Sequence, residues 1–540
     1  MSQDDQMKTD FERVTTFLLD PATFGQAGPV KRIDTHAALV FLTAAKAYKI
    51  KKPVKFPFLD YSTRELRRQA ITRELAINQP NAPTIYRGVR VVIRMPSGQL
   101  ALVGMDTVPP DSEPLEWVLE MARFDEAATL DHLAARSMEP GLIDELANVV
   151  VAAESRAPVR GANEWIDDLR SYIQQNDDAF RAMPAIFPSA EIQMLTSLAE
   201  ARFSTIASLL AERGERGFVR LTHGDLHTGN IAIVDGRPVL FDAIEFDDRI
   251  ATGDILYDAA FLIMDLDERG RGIEANRFLN GWLMATARTA GPGEPFSEAL
   301  QEQARGLDAL PFFLMMRAAI RAKVTAAKAA YLSGEARSEA FSEAQRYFHL
   351  ALLDLERASP RLIAIGGLSG TGKSTLARQL APLVGHRPGA IHLRSDQIRK
   401  SLVGVGELDR LPPDSYTPEA SRRVYEVLRA TASAALSAGW SVVVDTVAAR
   451  PEERAAFAEL ARVSGADFTG IWLEAPQDIL LARVAQRSND ASDADARVVA
   501  LQGAYALGGM DWIRIDASGT EQTTFQKART ALGLKESGSP

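Results

Sequence analysis

The chain has 540 residues, 46% hydrophobic and 24% charged, with a formal net charge of −10 and no cysteine. One hydrophobic core seldom organises that length, so at least two domains are expected. The missing thiols exclude a disulfide framework, a thiolate zinc site and a cysteine nucleophile, and the acidic balance argues against broad nucleic-acid or anionic-membrane binding.

Residues 1–10 are polar, without the basic start and apolar core of a signal peptide, and no apolar run approaches the roughly 20 residues that span a bilayer. A cytoplasmic protein with no membrane or nucleic-acid partner is therefore expected.

In chain order, 38–41 and 47–50 read as short strands, about 63–78 as a helix, and 88–94 and 100–105 as strands flanking the Pro96–Gly98 turn. Residues 126–212 are mainly helical, 218–246 form a compact β segment, and helices resume from 254 to about 358. This pattern suggests a small β-rich lobe and a larger helical one.

The densest chemistry of this half is Thr222-His223-Gly224-Asp225-Leu226-His227-Thr228-Gly229-Asn230, followed by a hairpin turning at Asp235-Gly236. Counting outward from the turn pairs Val234 with Arg237 and Asn230 with Phe241. Asp242 then lies diagonal to Asn230, and an amide and a carboxylate at the open end suit a hard cation. Zinc on His223 and His227 is disfavoured because Gly224 and Gly229 break the helix that such a site needs.

Asp225 precedes Asn230 by five positions, as in the catalytic loop of protein kinases. The section resembles the aminoglycoside phosphotransferase family, a branch of the protein-kinase-like fold. The resemblance makes Asp225 the base for an acceptor hydroxyl and Asn230 and Asp242 the ligands of Mg²⁺ on ATP. It puts His227 near the acceptor or the phosphate, while Asp258 braces the loop. Glu245 and Asp247 continue the acidic run and could assist, although a solvated loop is the expected reading. The small lobe then needs a strand lysine and a helix glutamate: Lys49 for the phosphates and Glu74 as its partner, with Lys51 as the substitute. Residues 115–124 are expected as the hinge beside adenine. The turn at 43–46 lacks the glycines of the protein-kinase loop. Arg317, Arg321 and Lys328, at helical spacing, are expected on an exposed helix face; facing a cleft they would favour an anionic acceptor.

Past Pro360 strands and helices alternate, with short apolar runs at 362–365, 391–394, 441–444, 470–473 and 512–515, the pattern of a parallel sheet covered on both faces. The first run leads into Gly367-Leu368-Ser369-Gly370-Thr371-Gly372-Lys373-Ser374, with Thr375 opening a helix. This is a phosphate-binding loop in the required context. Lys373 should reach the β- and γ-phosphates and Ser374 should ligate Mg²⁺. Asp445, at a strand end, is a second metal-ligand candidate.

Ser395-Asp396-Gln397-Ile398-Arg399 carries a resemblance to the small-molecule P-loop kinases. It implies Asp396 as general base, Arg399 as a substrate clamp, and Arg483 and Arg487 in a lid over the transferring phosphoryl group. The acidic run from Asp490 to Asp495 is read as a lid turn and helix cap without chemistry.

The tandem resembles bacterial bifunctional proteins that join an aminoglycoside phosphotransferase-like domain to a P-loop ATP-binding domain of the zeta-toxin and gluconate-kinase type. The expected fold is an α+β protein-kinase-like domain over 1–357, a linker at 358–361, and an α/β P-loop kinase domain with a parallel sheet over 362–540. The expected function is ATP- and Mg²⁺-dependent phosphoryl transfer to hydroxyls of small molecules at two nucleotide sites. The alternatives are a nucleotide-binding sensor and an aminoglycoside-modifying resistance kinase.

Overall fold

The computed structural model describes residues 3–56, 59–136, 138–291, 293–355, 359–486 and 490–534. Arg487, the linker residue Ala358 and the tail 535–540 lie outside the described residues. The chain gathers into two compact units, Met1–Trp165 with Gly217–Asp258, and Ile166–Arg216 with Ala259–Pro540.

The first unit is built on a six-stranded antiparallel sheet, in the order Lys31–Asp34, Ala38–Leu42, Lys46–Lys51, Glu113–Ala122, Tyr86–Arg94, Leu100–Gly104. Alternation along Lys46–Lys51 sends Tyr48 and Ile50 into a core with Leu39, Phe41, Val92 and Val118. The charged Lys49 and Lys51 therefore share the opposite face. That core is closed by Val14 and Leu18 of the helix Gln3–Leu19. Its signal was present in the apolar spacing of Phe11, Val14 and Leu18, but the sequence reading assigned no helix there.

The helix Arg64–Asn78 starts where the Thr63 hydroxyl accepts the N–H of Leu66, a cap for an otherwise orphaned donor. The segment 115–124, expected as the hinge beside adenine, is strand through Ala122, within Glu113–Ala122, with Arg123 and Phe124 following it. Arg123 donates to the carbonyls of Ala45 and Thr43. The turn at 43–46 is closed in turn by the Thr43 hydroxyl, which bonds both the N–H and the carbonyl of Lys46 and takes the place of glycines.

Further along, Val219–Leu221 pairs with Thr252–Asp254, and Ile231–Val234 pairs with Arg237–Leu240. The hairpin turn puts Asp235 at φ 52° and Gly236 at φ 79°, and Val234 faces Arg237.

The second unit holds a five-stranded parallel sheet in the order Ile391–Arg394, Val442–Asp445, Arg361–Gly367, Asp467–Glu474, Ile513–Asp516. Ile363, Ile365, Val443, Ile471 and Leu473 form its core with Leu376 and Leu380 of the helix Lys373–Leu380. The helix Gly272–Arg288 lies against the edge strand Ile391–Arg394, where Asn280 accepts the N–H of His392 at 2.7 Å and Asn276 donates to the carbonyl of Ala390 at 3.0 Å. These amides occupy edge groups that would otherwise be open to another strand.

The basic stripe is also corrected. Arg317 is buried with its guanidinium over the Phe261 ring, and Arg321 lies over Tyr347, so that of the three only Lys328 is exposed. A guanidinium covers an aromatic face as readily as it faces water. Among the described residues no helix is long and apolar enough to cross a membrane.

Candidate active sites

In the first unit, strand, helix and loop converge on one carboxylate. Lys49 Nζ lies 2.7 Å from Glu74 Oε1, and Lys51 Nζ lies 2.7 Å from Glu74 Oε2. Lys49 also reaches Asp242 Oδ1 at 3.1 Å, and Lys51 reaches Glu245 Oε1 at 2.5 Å. Glu245 is thus a buried ion-pair partner, which corrects its reading as solvated.

Burial pushes Glu74 toward protonation, but Lys49 and Lys51 outweigh it and hold the carboxyl below its ordinary range. Burial likewise opposes the Lys49 charge, yet the carboxylates of Asp242, Glu74 and Glu245 raise its pKa well above the usual value.

Asp242 stands at φ 59°, a left-handed conformation rare outside glycine. Its N–H is accepted by Tyr86 Oη at 3.1 Å, and the next N–H, of Ala243, by Asn78 Oδ1 at 2.8 Å. Helix and sheet together hold the loop in this strained form.

The Asp225 loop is fixed from below by Asp258, whose two oxygens accept the N–H groups of His223 and Gly224. Gly224 has φ 77°, and a Cβ there would come within 2.9 Å of Ala251 Cα, so both backbone and space demand glycine. Asn230 Nδ2 donates to Asp225 Oδ2 at 3.0 Å and to the Asp225 carbonyl at 2.9 Å. His227 Nδ1 accepts the Gly229 N–H, which leaves the proton on Nε2, 3.4 Å from Asp225 Oδ2. The other ring, His223, has Nε2 at 3.0 Å from the Phe241 carbonyl. Asn230 and Phe241 pair through the carbonyl of one and the N–H of the other at 3.0 Å, in the register counted from the turn.

The donors here that a divalent cation would use are the Asn230 amide oxygen and the Asp242 carboxylate, and among the described residues no group of three or more His, Asp or Glu is gathered for one. Two lysines face three carboxylates, Glu74, Asp242 and Glu245, and Asp242 is half exposed. An amide oxygen and a carboxylate are hard ligands.

In the second unit the phosphate loop joins Arg361–Gly367 to Lys373–Leu380. Gly367, Gly370 and Gly372 have φ of 144°, 86° and 88°, and a Cβ on Gly367 or Gly370 would strike the carbonyl of Leu473 or Leu480. Lys373 Nζ donates to the Leu368 carbonyl at 3.0 Å, and the Thr371 hydroxyl to the same carbonyl at 2.8 Å. The Ser369 N–H goes to Gln502 Oε1, a partner that sequence reasoning missed. Ser374 and Thr375 lie in the first turn of the helix.

Asp445, at its strand end, is buried beside Arg394 Nε at 3.6 Å and His392 Nε2 at 3.8 Å. Burial acts to raise its pKa, but His392, Arg394 and Lys373 outweigh it and the carboxyl lies below its ordinary range. Its Oδ2 is buried without a hydrogen bond, an orphaned acceptor that a cation on Ser374 and Asp445 would satisfy. Asp396 shifts the other way: burial raises its pKa and Asp445 adds to the rise, against Arg394 and Lys373.

Arg399 donates to the Ser415 carbonyl at 2.7 Å and lies over the Tyr416 ring. Arg483 donates to the Gly519 carbonyl at 2.8 Å and lines a small open recess with Thr371, Gly372, Thr375 and Glu521. It therefore stands at the side of the phosphate loop. The acidic run is an anchor: Asp490 accepts from Arg394 at 2.6 Å, and Asp493 holds Lys400 at 3.1 Å, the Leu411 N–H and the Tyr416 hydroxyl.

Comparison with known proteins gives two matches along the chain, the first of which takes residues from both compact units. Residues 99–294 match the model of a phosphotransferase enzyme family, and residues 362–506 match that of an AAA domain. An uncharacterized protein of Mycobacterium tuberculosis is 29% identical over 514 residues, covering 92% of this chain and 94% of its own. An adenylyl-sulfate kinase of Myxococcus xanthus is 33% identical over 131 residues, 24% of this chain and 64% of its own. The structure of a choline/ethanolamine kinase family protein from Mesorhizobium loti aligns with a TM-score of 0.35 at 14% identity, over 64% of this chain and 99% of its own. The chain carries a domain of the phosphotransferase enzyme family and, after it, an AAA domain of P-loop kinase type.

Proposed function

We propose that the protein is an ATP- and Mg²⁺-dependent phosphotransferase with two nucleotide sites, one in a kinase-like domain over 1–357 and one in a P-loop domain over 362–540, joined through 358–361. The observation that carries the reading is the convergence of Lys49, Glu74 and Asp242 within ion-pair distance, a charged lysine beside a half-exposed carboxylate, in the same unit as the Asp225 loop.

In each site a carboxylate, Asp225 or Asp396, takes the proton of an acceptor hydroxyl as its oxygen bonds the γ-phosphorus and the bond to the β-phosphate oxygen breaks, releasing ADP. Asn230 and His227 orient the Asp225 carboxylate through its Oδ2. The raised pKa of Asp396 suits a base that must compete for a hydroxyl proton. Mg²⁺, when held by Asn230 and Asp242 or by Ser374 and Asp445, supplies charge for the phosphate oxygens. Arg399 would clamp the second acceptor, and Arg483, by its place in the recess, the nucleotide.

The test is incubation with a metabolite extract and γ-labelled ATP, with products identified by mass. Asp225→Ala and Lys373→Ala should each remove a different product, and the double variant should abolish nucleotide turnover. Turnover that persists in the double variant sinks the proposal. ATP binding without acceptor-dependent ADP release would favour a nucleotide sensor instead.

A further inference from the structure

Lys51 is a charged group of the first site that has no task in the phosphoryl transfer proposed above. Its ammonium forms an ion pair with Glu74 Oε2 at 2.7 Å and donates to Glu245 Oε1 at 2.5 Å, and it lies 5.3 Å from the centre of the Tyr61 ring. Tyr61 Oη donates to the same Glu245 oxygen at 3.2 Å. Asp242 and Glu245 belong to one short loop, so the contacts close into a ring of five charges, Asp242, Lys49, Glu74, Lys51 and Glu245.

The ring has a division of labour. Lys49 and Asp242 form its outer side, where Asp242 is half exposed; Lys51, Glu74 and Glu245 form its buried side. A buried carboxylate is tolerated only while paired. If Lys49 were the sole partner of Glu74, its recruitment by a phosphate would leave Glu74 under-compensated at each binding event. Lys51 removes that conflict, because its side chain is the more buried of the two, 4% exposed against 15% for Lys49, and it stays with Glu74.

We infer that Lys51 is a positioning residue of the first nucleotide site: anchored by Glu245, it holds the charge and orientation of Glu74 so that Lys49 is free for phosphate and Asp242 for the cation. This rests on the reading of the first half as an ATP site. It also assigns Lys51 a role distinct from that of a substitute for Lys49.

The experiment is titration calorimetry with ATP and with adenosine, in the Lys373→Ala chain so that the second phosphate site is silent. Lys51→Met should weaken ATP about tenfold, equivalent to one decade of Kd, and leave adenosine within about twofold. Glu245→Gln, which keeps Lys51 but loosens its anchor, should shift ATP in the same direction by about threefold and serves if Lys51→Met does not fold. Equal loss for ATP and adenosine would make the role merely structural and overturn the inference, as would a folded Lys51→Met chain or, failing that, a folded Glu245→Gln chain that binds ATP normally. A Lys373→Ala chain that binds no ATP at all would overturn the nucleotide reading itself, before any change at Lys51.

Discussion

Gln502 Oε1 accepts the backbone N–H of Ser369 at 2.7 Å, so a side chain from the helix Ala496–Gly503 is built into the phosphate loop. The same helix seats Val499 in an apolar cluster with Leu480, Val484 and Leu368. Removing the amide strands a buried donor. Gln502→Ala is expected to cost about 1–3 kcal/mol. Hydrogen exchange at the Ser369 amide should accelerate, while the strand Arg361–Gly367 keeps its protection. An unchanged Ser369 rate would mean that the loop does not depend on this bond.

Glu74 is shared by two ammonium groups, and it is fully buried. Glu74→Gln leaves both lysines short of negative charge in a poorly hydrated place. The expected loss is about 3–5 kcal/mol. Chemical denaturation of the variant, followed by a probe in the first unit, measures it; a loss no greater than that of an exposed surface substitution would contradict the shared-carboxylate arrangement.

Gly224 directly precedes the proposed base, with φ 77° and its missing Cβ aimed at Ala251 Cα. Gly224→Ala should cost about 1–3 kcal/mol through backbone strain alone, and more through the clash. A shift of the backbone at 224 that relieves the clash disturbs its N–H bond to Asp258. Acceptor-dependent turnover assigned to the first site should therefore fall further than stability predicts. Melting curves and single-turnover rates, taken together, separate the two effects.

A pH dependence is built into the second unit. Arg387 serves two acids, reaching Asp267 at 3.2 Å and Asp354 at 3.3 Å, and Asp354 Oδ2 is buried without a hydrogen bond. Burial raises Asp354 to about 7, only partly countered by Arg387 and reinforced by Asp267. A raised acid binds its proton more tightly when folded, so its contribution to stability is present below the unfolded pKa and is lost as pH rises toward 7. Asp354→Asn should flatten that decline and raise the melting temperature at pH 8 by about 2–4 °C. A variant with the same pH slope as the parent chain would assign the effect elsewhere.

The residues of the sites differ in how far the sequence disclosed them. Asn230 opposite Phe241, and Val234 opposite Arg237, follow from a two-residue turn and the pleat, which are local geometry. Lys49 with Glu74 was legible from strand alternation together with the family resemblance. Glu245 was not: its acidic neighbours suggest a solvated loop, and only the approach of Lys51 and Tyr61 explains its burial. Arg317 belongs to a basic stripe in the sequence and to an aromatic stack in the fold, because helical spacing defines a face without naming what packs on it.

By itself the sequence determined what a few consecutive residues decide: the glycines that let the phosphate loop turn, the hairpin that sets Asn230 near Asp242, and the change of rhythm past Pro360. Only the tertiary structure decided the partners that are distant in the chain. Lys51 with Glu245, Gln502 with Ser369, Arg394 with Asp490, and the helices of 259–355 gathered into one compact unit with the parallel sheet are of this kind. The reason is physical. Backbone conformation answers to neighbours along the chain, whereas a buried charge or an orphaned donor is satisfied by whatever group the packing brings to it.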